Sequence, residues 1–289
     1  MIKEIHIEDI KNIFLKREKN ANKGDFGKVG ILGGSINYSG AIKLATMSLA
    51  SLRSGCGLVK VMVPNEIVSL LSPVLLEQTL FPYKNLEDIK KSIKDLDSLV
   101  IGMGWGYDEK HLTILKYILE NFQGNLVIDA DGLNTLVNHL EILKTSQANI
   151  VLTPHLKEFS RLTNLSIEEI EKNKIEIAKS FANENHVILL LKGSTTIITN
   201  GSDVYLTNYG TPGMATSGSG DVLSGILAGL LGYLKYNLIS VSAGAIINGL
   251  AGELAEEKNT DIGMIARDTI SYIPDAIKKI VIIYSHAKK

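Results

Sequence analysis

The sequence predicts a three-layer α/β/α domain, a mostly parallel sheet with helices on both faces. Three observations predict it. Several short runs are apolar at every position, without the alternation of a half-solvated strand, and read as strands buried on both faces. They alternate with helical segments, the order of a doubly wound sheet. Four of them open directly into glycine-rich or polar loops, and ligands of such sheets bind outside the carboxyl ends of the strands. The chain has 289 residues, 45% of them hydrophobic, enough to bury a substantial core. No linker, repeat or low-complexity stretch divides it, so residues 1–289 are read as a single domain.

Taken in order, residues 1–10 alternate charge with aliphatics and read as a polar opening helix, followed by a soluble stretch over 16–23. Residues 28–32 form a buried strand running into Gly33-Gly34. A helix over 39–53 is dominated by small residues, which suits close packing against the sheet or against another subunit. Gly55-Cys56-Gly57 ends it. Residues 58–63 are the next strand, stopped by Pro64; 66–72 read as helical, and the passage through Pro82 as irregular. Residues 98–101 enter the loop Gly102-Met103-Gly104-Trp105-Gly106, and a helix follows over 111–121. The apolar run 126–128 ends in Asp129-Ala130-Asp131-Gly132-Leu133-Asn134, and 150–152 in Thr153-Pro154-His155-Leu156-Lys157-Glu158. Residues 166–183 read as one charged helix and 187–191 as a strand into Lys192-Gly193-Ser194-Thr195-Thr196. A hairpin turns at Asn200-Gly201 between 197–199 and 204–206. The stretch 210–225, rich in glycine and hydroxyls, leads into an apolar helix. A second small-residue helix covers 239–257, and a helix over 269–283 closes the domain.

Composition excludes several classes. Thirty basic against thirty-one acidic side chains leave a formal charge of −1, so bulk electrostatics gives no reason to expect nucleic acid or an anionic membrane as partner. A phosphate ligand must be held locally. The single cysteine, Cys56, forms no internal disulfide and reads as a small buried residue; a reducing, cytoplasmic setting is expected. The N-terminus lacks the continuous apolar core of a signal peptide, and residues 222–234 are too short and too glycine-interrupted for a membrane span.

The chemistry concentrates in the loops. Gly218 and Gly220 let a ligand approach the main chain, and the free N–H groups of the helix that follows attract anions. Asp221 is out of place beside an anion site unless it serves as a base that takes a hydroxyl proton. Lys192-Gly193-Ser194-Thr195-Thr196 offers a cation and three hydroxyls after a buried strand, which suits phosphates; an ordinary strand-edge turn is the alternative. His155 has Pro154 beside it and Glu158 three residues on, and is weighed against a core histidine. Asp129 and Asp131 would point to opposite faces if still in a strand, so that one alone faces the cleft; a helix cap or turn is the alternative for Asp129. Trp105 stacks on a ring or packs in a surface loop. Gly33-Gly34 and Gly40 lack dinucleotide-fingerprint spacing, Lys192-Gly193 lacks the upstream glycine loop of a Walker motif, and no histidine and cysteine spacing supports zinc.

Read together, Lys23-Gly-Asp-Phe-Gly-Lys-Val-Gly-Ile-Leu-Gly-Gly-Ser35, Arg53-Ser-Gly-Cys-Gly-Leu-Val59, Val127-Ile-Asp-Ala-Asp-Gly-Leu-Asn134, Thr153-Pro-His155, Leu191-Lys-Gly193 and Pro212-Gly-Met-Ala-Thr-Ser-Gly-Ser-Gly-Asp-Val-Leu223 resemble the ADP-dependent NAD(P)H-hydrate dehydratases. The blocks occur in order across nearly the whole chain. The resemblance implies a ribokinase-like fold and a hydro-lyase that repairs nicotinamide dinucleotides, converting hydrated NADH and NADPH back to NADH and NADPH with ADP (or ATP) as phosphoryl donor. It implies Mg²⁺ with the nucleotide, a homotetramer in the cytoplasm, and no partner nucleic acid or membrane. Carried over by motif, Ala41, Gly104, His155 and Asp221 contact the hydrate, with Asp221 the catalytic base. Lys192, Gly193, Ser194, Thr195, Thr196 and Gly220 contact the adenine nucleotide, and Glu158 helps to place a magnesium water network.

Two departures from the family pattern stand out. Thr216-Ser217-Gly218-Ser219-Gly220-Asp221 replaces the usual Thr-Gly-Gly-Thr-Gly-Asp, so Ser217 puts a side chain where glycine is common. Leu156-Lys157 stands where many relatives carry Pro-Gly or a small pair. The epimerase domain fused to many relatives is not expected here, because the first recognisable block begins at Lys23. The alternative within the same fold is a vitamin-precursor kinase acting on a hydroxymethylpyrimidine or hydroxyethylthiazole alcohol; outside enzymes, it is a nucleotide-sensing binding protein.

Overall fold

The central strands are apolar along their length because each is packed on both faces. In β5 (Ser98–Ile101), Leu99 and Ile101 face one core while Val100 faces the other. Leu126 and Ile128 against Val127 repeat this in β6 (Asn125–Ile128), as do Ile150 and Leu152 against Val151 in β7 (Asn149–Leu152). Period-two alternation is present, but both directions lead to helices rather than to water. The computed structural model describes residues 1–14, 16–47 and 53–286, the last five by backbone alone.

The remaining strands are β1 (Ile2–Glu4), β2 (Lys28–Leu32), β3 (Leu58–Pro64), β4 (Thr79–Tyr83), β8 (Ile188–Leu191), β9 (Thr196–Thr199) and β10 (Val204–Thr207). Among the described residues they form one sheet in the order β1-β10-β9-β8-β7-β6-β5-β2-β3-β4. The ladder is parallel except where β9 runs against β8 and β10. Sequence order runs one way from β2 to β4 and the other way from β5 to β8, so a topological switch point lies between β2 and β5. That is the place where the crevice of an open parallel sheet forms.

One face is covered by helices over Glu109–Asn121, Asp131–Leu136, Leu156–Thr163 and Lys174–Asn185. The other face carries two helical layers. The helix Ser219–Leu231 lies directly on the sheet through Leu223, Leu227 and Leu231, and its opposite side, through Val222, Ile226 and Leu230, meets the helices Leu238–Gly263 and Ala266–His286. A helix buried all round is apolar all round. Leu238–Gly263, broken at Thr260, has the length and mean hydropathy of 1.5 of a membrane span, yet 83% of that apolar stretch is buried inside the protein.

Its small residues are explained by this packing. A Cβ on Gly244 would press into Leu227, one on Gly249 into Tyr209, and one on Gly252 into Met214. The stretch 242–255 is therefore core packing within the chain rather than a surface reserved for another subunit. Of the small-residue helix expected over 39–53, Ser39–Thr46 is helical, with Ile42, Ala45 and Thr46 buried, and the chain leaves the helix at Met47; Arg53 lies in a turn, and 48–52 lie outside the described residues. Cys56 is buried as expected, and burial pushes its thiol up to about 12.

Four local expectations are corrected. Residues 2–4 form an edge strand parallel to β10, with only a short helical turn, Ile7–Ile10, behind it. The passage through Pro82 is the opposite edge strand, β4, where a missing N–H is tolerated because one side has no neighbour. The charged helix over 166–183 is two helices, Ile167–Lys172 and Lys174–Asn185, parted at Asn173. Trp105 is neither on the surface nor free to stack on a ligand: it is 1% exposed, donates to the Tyr83 hydroxyl at 3.1 Å and meets His111 edge-on.

Candidate active site

Loops from five parallel strands are tied to one another near the start of the Ser219–Leu231 helix. At the switch point the Gly34 amide donates to the Met103 carbonyl at 2.9 Å. Gly104, with φ of 60°, lies against Ala41: a Cβ there would fall 2.6 Å from the Tyr38 carbonyl and 3.2 Å from the Ala41 methyl. Glycine is required for this approach. The Gly106 amide donates to Asp131 Oδ2 at 2.8 Å, which joins the β5 loop to the β6 loop.

Asp129 and Asp131 are separated by Ala130 at φ 48°, ψ −118°, a conformation that costs a residue with a side chain on the order of 1–3 kcal/mol. The bend removes the pair from strand geometry. Asp129, 2% exposed, accepts from Lys192 Nζ at 2.9 Å and from the Ser224 hydroxyl at 2.7 Å. Asp131 caps Gly106 and still adds its charge to the field at Asp221. Of the two acids Asp129 alone is bonded to the site lysine, as expected of one member of the pair, although the bend at Ala130 rather than strand alternation separates them. Asp129 is also no cap, but the counter-ion of the site lysine.

His155 and Lys192 are held side by side because β7 and β8 continue pairing beyond their ends, with the Lys192 amide on the Pro154 carbonyl at 2.9 Å. His155 caps the helix Leu156–Thr163. Its Nδ1 accepts from the Lys157 and Glu158 amides, each at 3.1 Å, while Glu158 Oε2 accepts the His155 amide at 2.8 Å. This is a capping box with histidine in the usual serine position. An accepting Nδ1 requires a neutral ring with its proton on Nε2. Burial, with Lys192 and Arg161 nearby, holds the imidazole pKa below its ordinary value in agreement. Its side chain is 49% exposed, so it is not a core histidine.

The electrostatics is dominated by acids around one lysine. Burial opposes the charge on Lys192, but Asp129, Glu158 and Asp221 outweigh it and raise its pKa. Burial raises Glu158, against the pull of Lys192. Asp221 is pushed up to about 7, by burial first and then by Asp129 and Asp131, with Lys192 opposing. Its position follows from Gly218, which turns the chain at φ 95° so that the helix begins at Ser219. The amides of Gly220 and Asp221 have no hydrogen-bond acceptor among the described residues, leaving two donors of the first turn free for an anion.

A cavity of about 610 Å³ opens from this cluster, within the range of small-molecule sites. His155, Lys192, Gly193, Ser194, Thr196, Ser219 and Gly220 line it, and it continues past Leu223 to Tyr209, Met214, Ala245, Asn248 and Gly249. Its outer wall is fastened to the Leu238–Gly263 helix: Glu253 accepts the Gly210 amide at 2.8 Å, and Glu256 accepts the Thr211 hydroxyl and the Gly213 amide. Thr195 is outside it, its hydroxyl given to Asn208 at 2.6 Å. A larger cavity, about 1250 Å³, lies beyond the other end of the Ser219–Leu231 helix, near Phe26, Gly55 and Tyr233. It borders the amino ends of β2 and β3 and receives none of these loops.

The profile of the family described as NAD(P)H-hydrate dehydratase matches residues 29–275. The chain belongs to that family. It is 36% identical to the "ADP-dependent (S)-NAD(P)H-hydrate dehydratase" of Nitrosopumilus maritimus, covering 93% of this chain and 94% of that one. It is 34% identical to the "Bifunctional NAD(P)H-hydrate repair enzyme Nnr" of Moorella thermoacetica, over 92% of this chain but 52% of that protein; the chain spans about half the length of such bifunctional relatives. A crystal structure of the "ADP/ATP-dependent NAD(P)H-hydrate dehydratase from Bacillus subtilis co-crystallized with ATP/Mg2+" superposes with a TM-score of 0.85 at 25% identity, over 96% of this chain and 98% of that one. The fold is ribokinase-like, as the motifs imply.

In this member of the dehydratase family, the Ser217 departure is accommodated. Ser217 is exposed and is not among the residues with positive φ, so its side chain needs neither strain nor space in the cavity. One polar residue escaped the sequence reading as part of the site, and so did one pairing. Asp129 was a candidate for the cleft, but its pairing with a lysine 63 positions away is something no local pattern reveals. Asn248 sits among Ile246, Ile247 and Leu250, and the one available signal was an amide within an apolar run.

Among the described residues no three His, Cys, Asp or Glu side chains form a metal cage. Mg²⁺ keeps several waters and is usually bound through one or two carboxylates and substrate phosphates, and Asp129 and Glu158 beside Lys192 fit that mode.

Proposed function

We propose that this protein dehydrates hydrated NADH and NADPH at the expense of ADP, yielding AMP and phosphate. The observation that carries the reading is Asp221. It is a half-buried carboxylate brought to about 7, one residue beyond Gly220, which lines the cavity, and within the electrostatic reach of Asp131, whose loop adjoins Gly104 and Ala41. A base needs a pKa near the working pH, and a base that joins two nucleotides must stand between their sites.

The nucleotide would occupy the 610 Å³ cavity with its phosphates against Lys192 and the free amides of Gly220 and Asp221. The hydrated ring would lie at the switch point against Ala41 and Gly104, with His155 presenting Nε2–H. Asp221 takes the proton of the ring hydroxyl as its oxygen attacks the terminal phosphorus of ADP, and AMP leaves. The ring nitrogen then pushes electrons to expel phosphate, and loss of a ring proton restores the double bond. The hydroxyl oxygen departs in the phosphate, which leaves far more readily than hydroxide. The amides steady charge that develops on the transferred group. Mg²⁺, held through water by Asp129 and Glu158, would neutralise phosphate charge in a site otherwise rich in carboxylates.

Assembly as a homotetramer in the cytoplasm belongs to the same proposal; it rests on the family resemblance and is checked by sedimentation. Family membership weighs against the vitamin-precursor kinase. Incubation with hydrated NADH, ADP and Mg²⁺ tests the function. Regained dihydropyridine absorbance with stoichiometric AMP is expected, and no regain with folded, nucleotide-binding protein overturns it.

A further inference from the structure

The cavity is crowded with charge around Lys192, whereas Leu223, Met214 and Ala245, with the ring of Tyr209, give it apolar walls without a carboxylate or a cation. A single carboxamide, Asn248, interrupts them. It is 8% exposed, lines the cavity, and its Oδ1 is sealed from solvent without a hydrogen-bond partner. The Ser219 hydroxyl, on the lining of the same cavity, is likewise sealed and unpartnered. A buried polar atom left without a partner costs about 1–3 kcal/mol, and such atoms are few in native proteins. Leucine would fill the place of Asn248 among Ile246, Ile247 and Leu250 without that cost. Two unpaired polar groups on the lining of one cavity, beside apolar walls, match a ligand that carries polar groups together with a flat apolar ring.

We propose that Asn248 is the residue that recognises the base of the nucleotide, pairing its carboxamide with the 6-amino group and adjoining ring nitrogen of adenine. This rests on the reading that a nucleotide occupies the cavity. A carboxamide offers one acceptor and two donors side by side, and a half-turn of the amide exchanges which of them meets the cavity. Adenine presents the complement, and asparagine bonded to its N6 and N7 is a recurrent base contact. Guanine carries an oxo group in place of the amine, so N7 and O6 are two adjacent acceptors that one carboxamide satisfies only by half. The apolar walls then supply contact to the ring faces, and Asn248 supplies the choice of base.

The test is calorimetric titration of ADP and GDP, without hydrate, into the wild type, Asn248→Leu and Asn248→Asp. The wild type is expected to bind ADP about tenfold or more tightly than GDP, the difference that one lost hydrogen bond makes. Asn248→Leu should weaken ADP and bring the two nucleotides to within about threefold, and Asn248→Asp, which keeps size but loses the donors, should also weaken ADP. Thermal unfolding without nucleotide separates this from a structural role, because removing an unpaired buried amide should leave the midpoint of Asn248→Leu unchanged or higher while the ADP-induced rise shrinks. In turnover, KM for ADP should rise with kcat little altered. An unchanged ADP preference in both variants, or a lowered midpoint with an intact ADP-induced rise, overturns the assignment. Failure of the dehydratase reading would instead show as absent turnover in a wild type that still prefers ADP.

Discussion

The first turn of the Ser219–Leu231 helix and its remaining length are built on opposite terms. From Val222 to Leu231 every residue is buried, with the sheet on one side and two helices on the other. Ser219, Gly220 and Asp221 are half-buried, carry two amides without acceptors, and place a carboxylate where burial and two further acids disfavour its charge. The body is a structural optimum and the tip is a concession. The tip is affordable because the body is not free to move: a first turn whose carboxylate is disfavoured by burial and by the acids of a neighbouring loop is held by the clamped turns behind it.

The difference is broken most severely by Asp221→Asn. Turnover should fall by about 10²–10⁴-fold, the usual contribution of a general base, while calorimetry finds ADP affinity nearly unaltered. Stability should move the other way. A carboxyl raised from 3.8 to about 7 on folding holds a proton in the folded state that the unfolded chain has released, so it destabilises increasingly from about pH 4 to pH 7 and fully above that. The variant should therefore unfold at a higher temperature than the wild type at pH 8, with a smaller gain at pH 5. Intact turnover would remove Asp221 from its role, and a gain independent of pH would remove the cause given for it.

The reverse experiment injures the body and spares the tip. Leu227→Ala removes a fully buried side chain from the helix–sheet interface and should cost about 2–5 kcal/mol in denaturant unfolding. Activity per folded molecule should change little, since no atom of the cavity is lost. A large loss of kcat at temperatures where the variant is folded would show that the tip needs more than a clamped body.

Lys192→Met sharpens the comparison by changing the field alone. It withdraws the cation that Asp129, Glu158 and Asp221 share, so nucleotide binding should weaken and Asp221, which Lys192 holds down, should rise further. In the wild type, kcat/KM should climb roughly tenfold per pH unit below about 7 and then flatten, as expected for a base that must be unprotonated. In the variant that limb should move to higher pH. A limb that stays in place would dissociate Asp221 from the profile.

The same contrast explains what could be read from sequence. The body, β5, β6 and β7 were legible because burial on both sides makes a run apolar at every position. β1 and β4 were not, since an edge strand tolerates Lys3, Glu4 and Pro82. In the tip, Gly218 and Asp221 were legible because glycine and acid are unusual before an apolar helix. The value near 7 was not, because Asp129, Asp131 and Lys192 approach through two other loops. Asn248 was hidden for a related reason: an amide in an apolar helix has meaning only once the cavity against it is known.

The smallest effect concerns the residue by which this tip differs from its relatives. Ser217 precedes the Gly218 turn, is exposed, and keeps a φ that side chains accept. Glycine there would gain nothing in the folded state and would enlarge the freedom of the unfolded chain, so Ser217→Gly should lower stability by about 0.4–1 kcal/mol. Turnover and KM for ADP should remain within about twofold, because on this geometry the hydroxyl faces solvent rather than the phosphates. The site-directed comparison is Gly218→Ala, where φ is 95° and a Cβ would press into Leu44. That change should displace the first turn and reduce kcat together with affinity for ADP. If instead Ser217→Gly altered catalysis and Gly218→Ala did not, the glycine that shapes the anion site would be the wrong one of the pair.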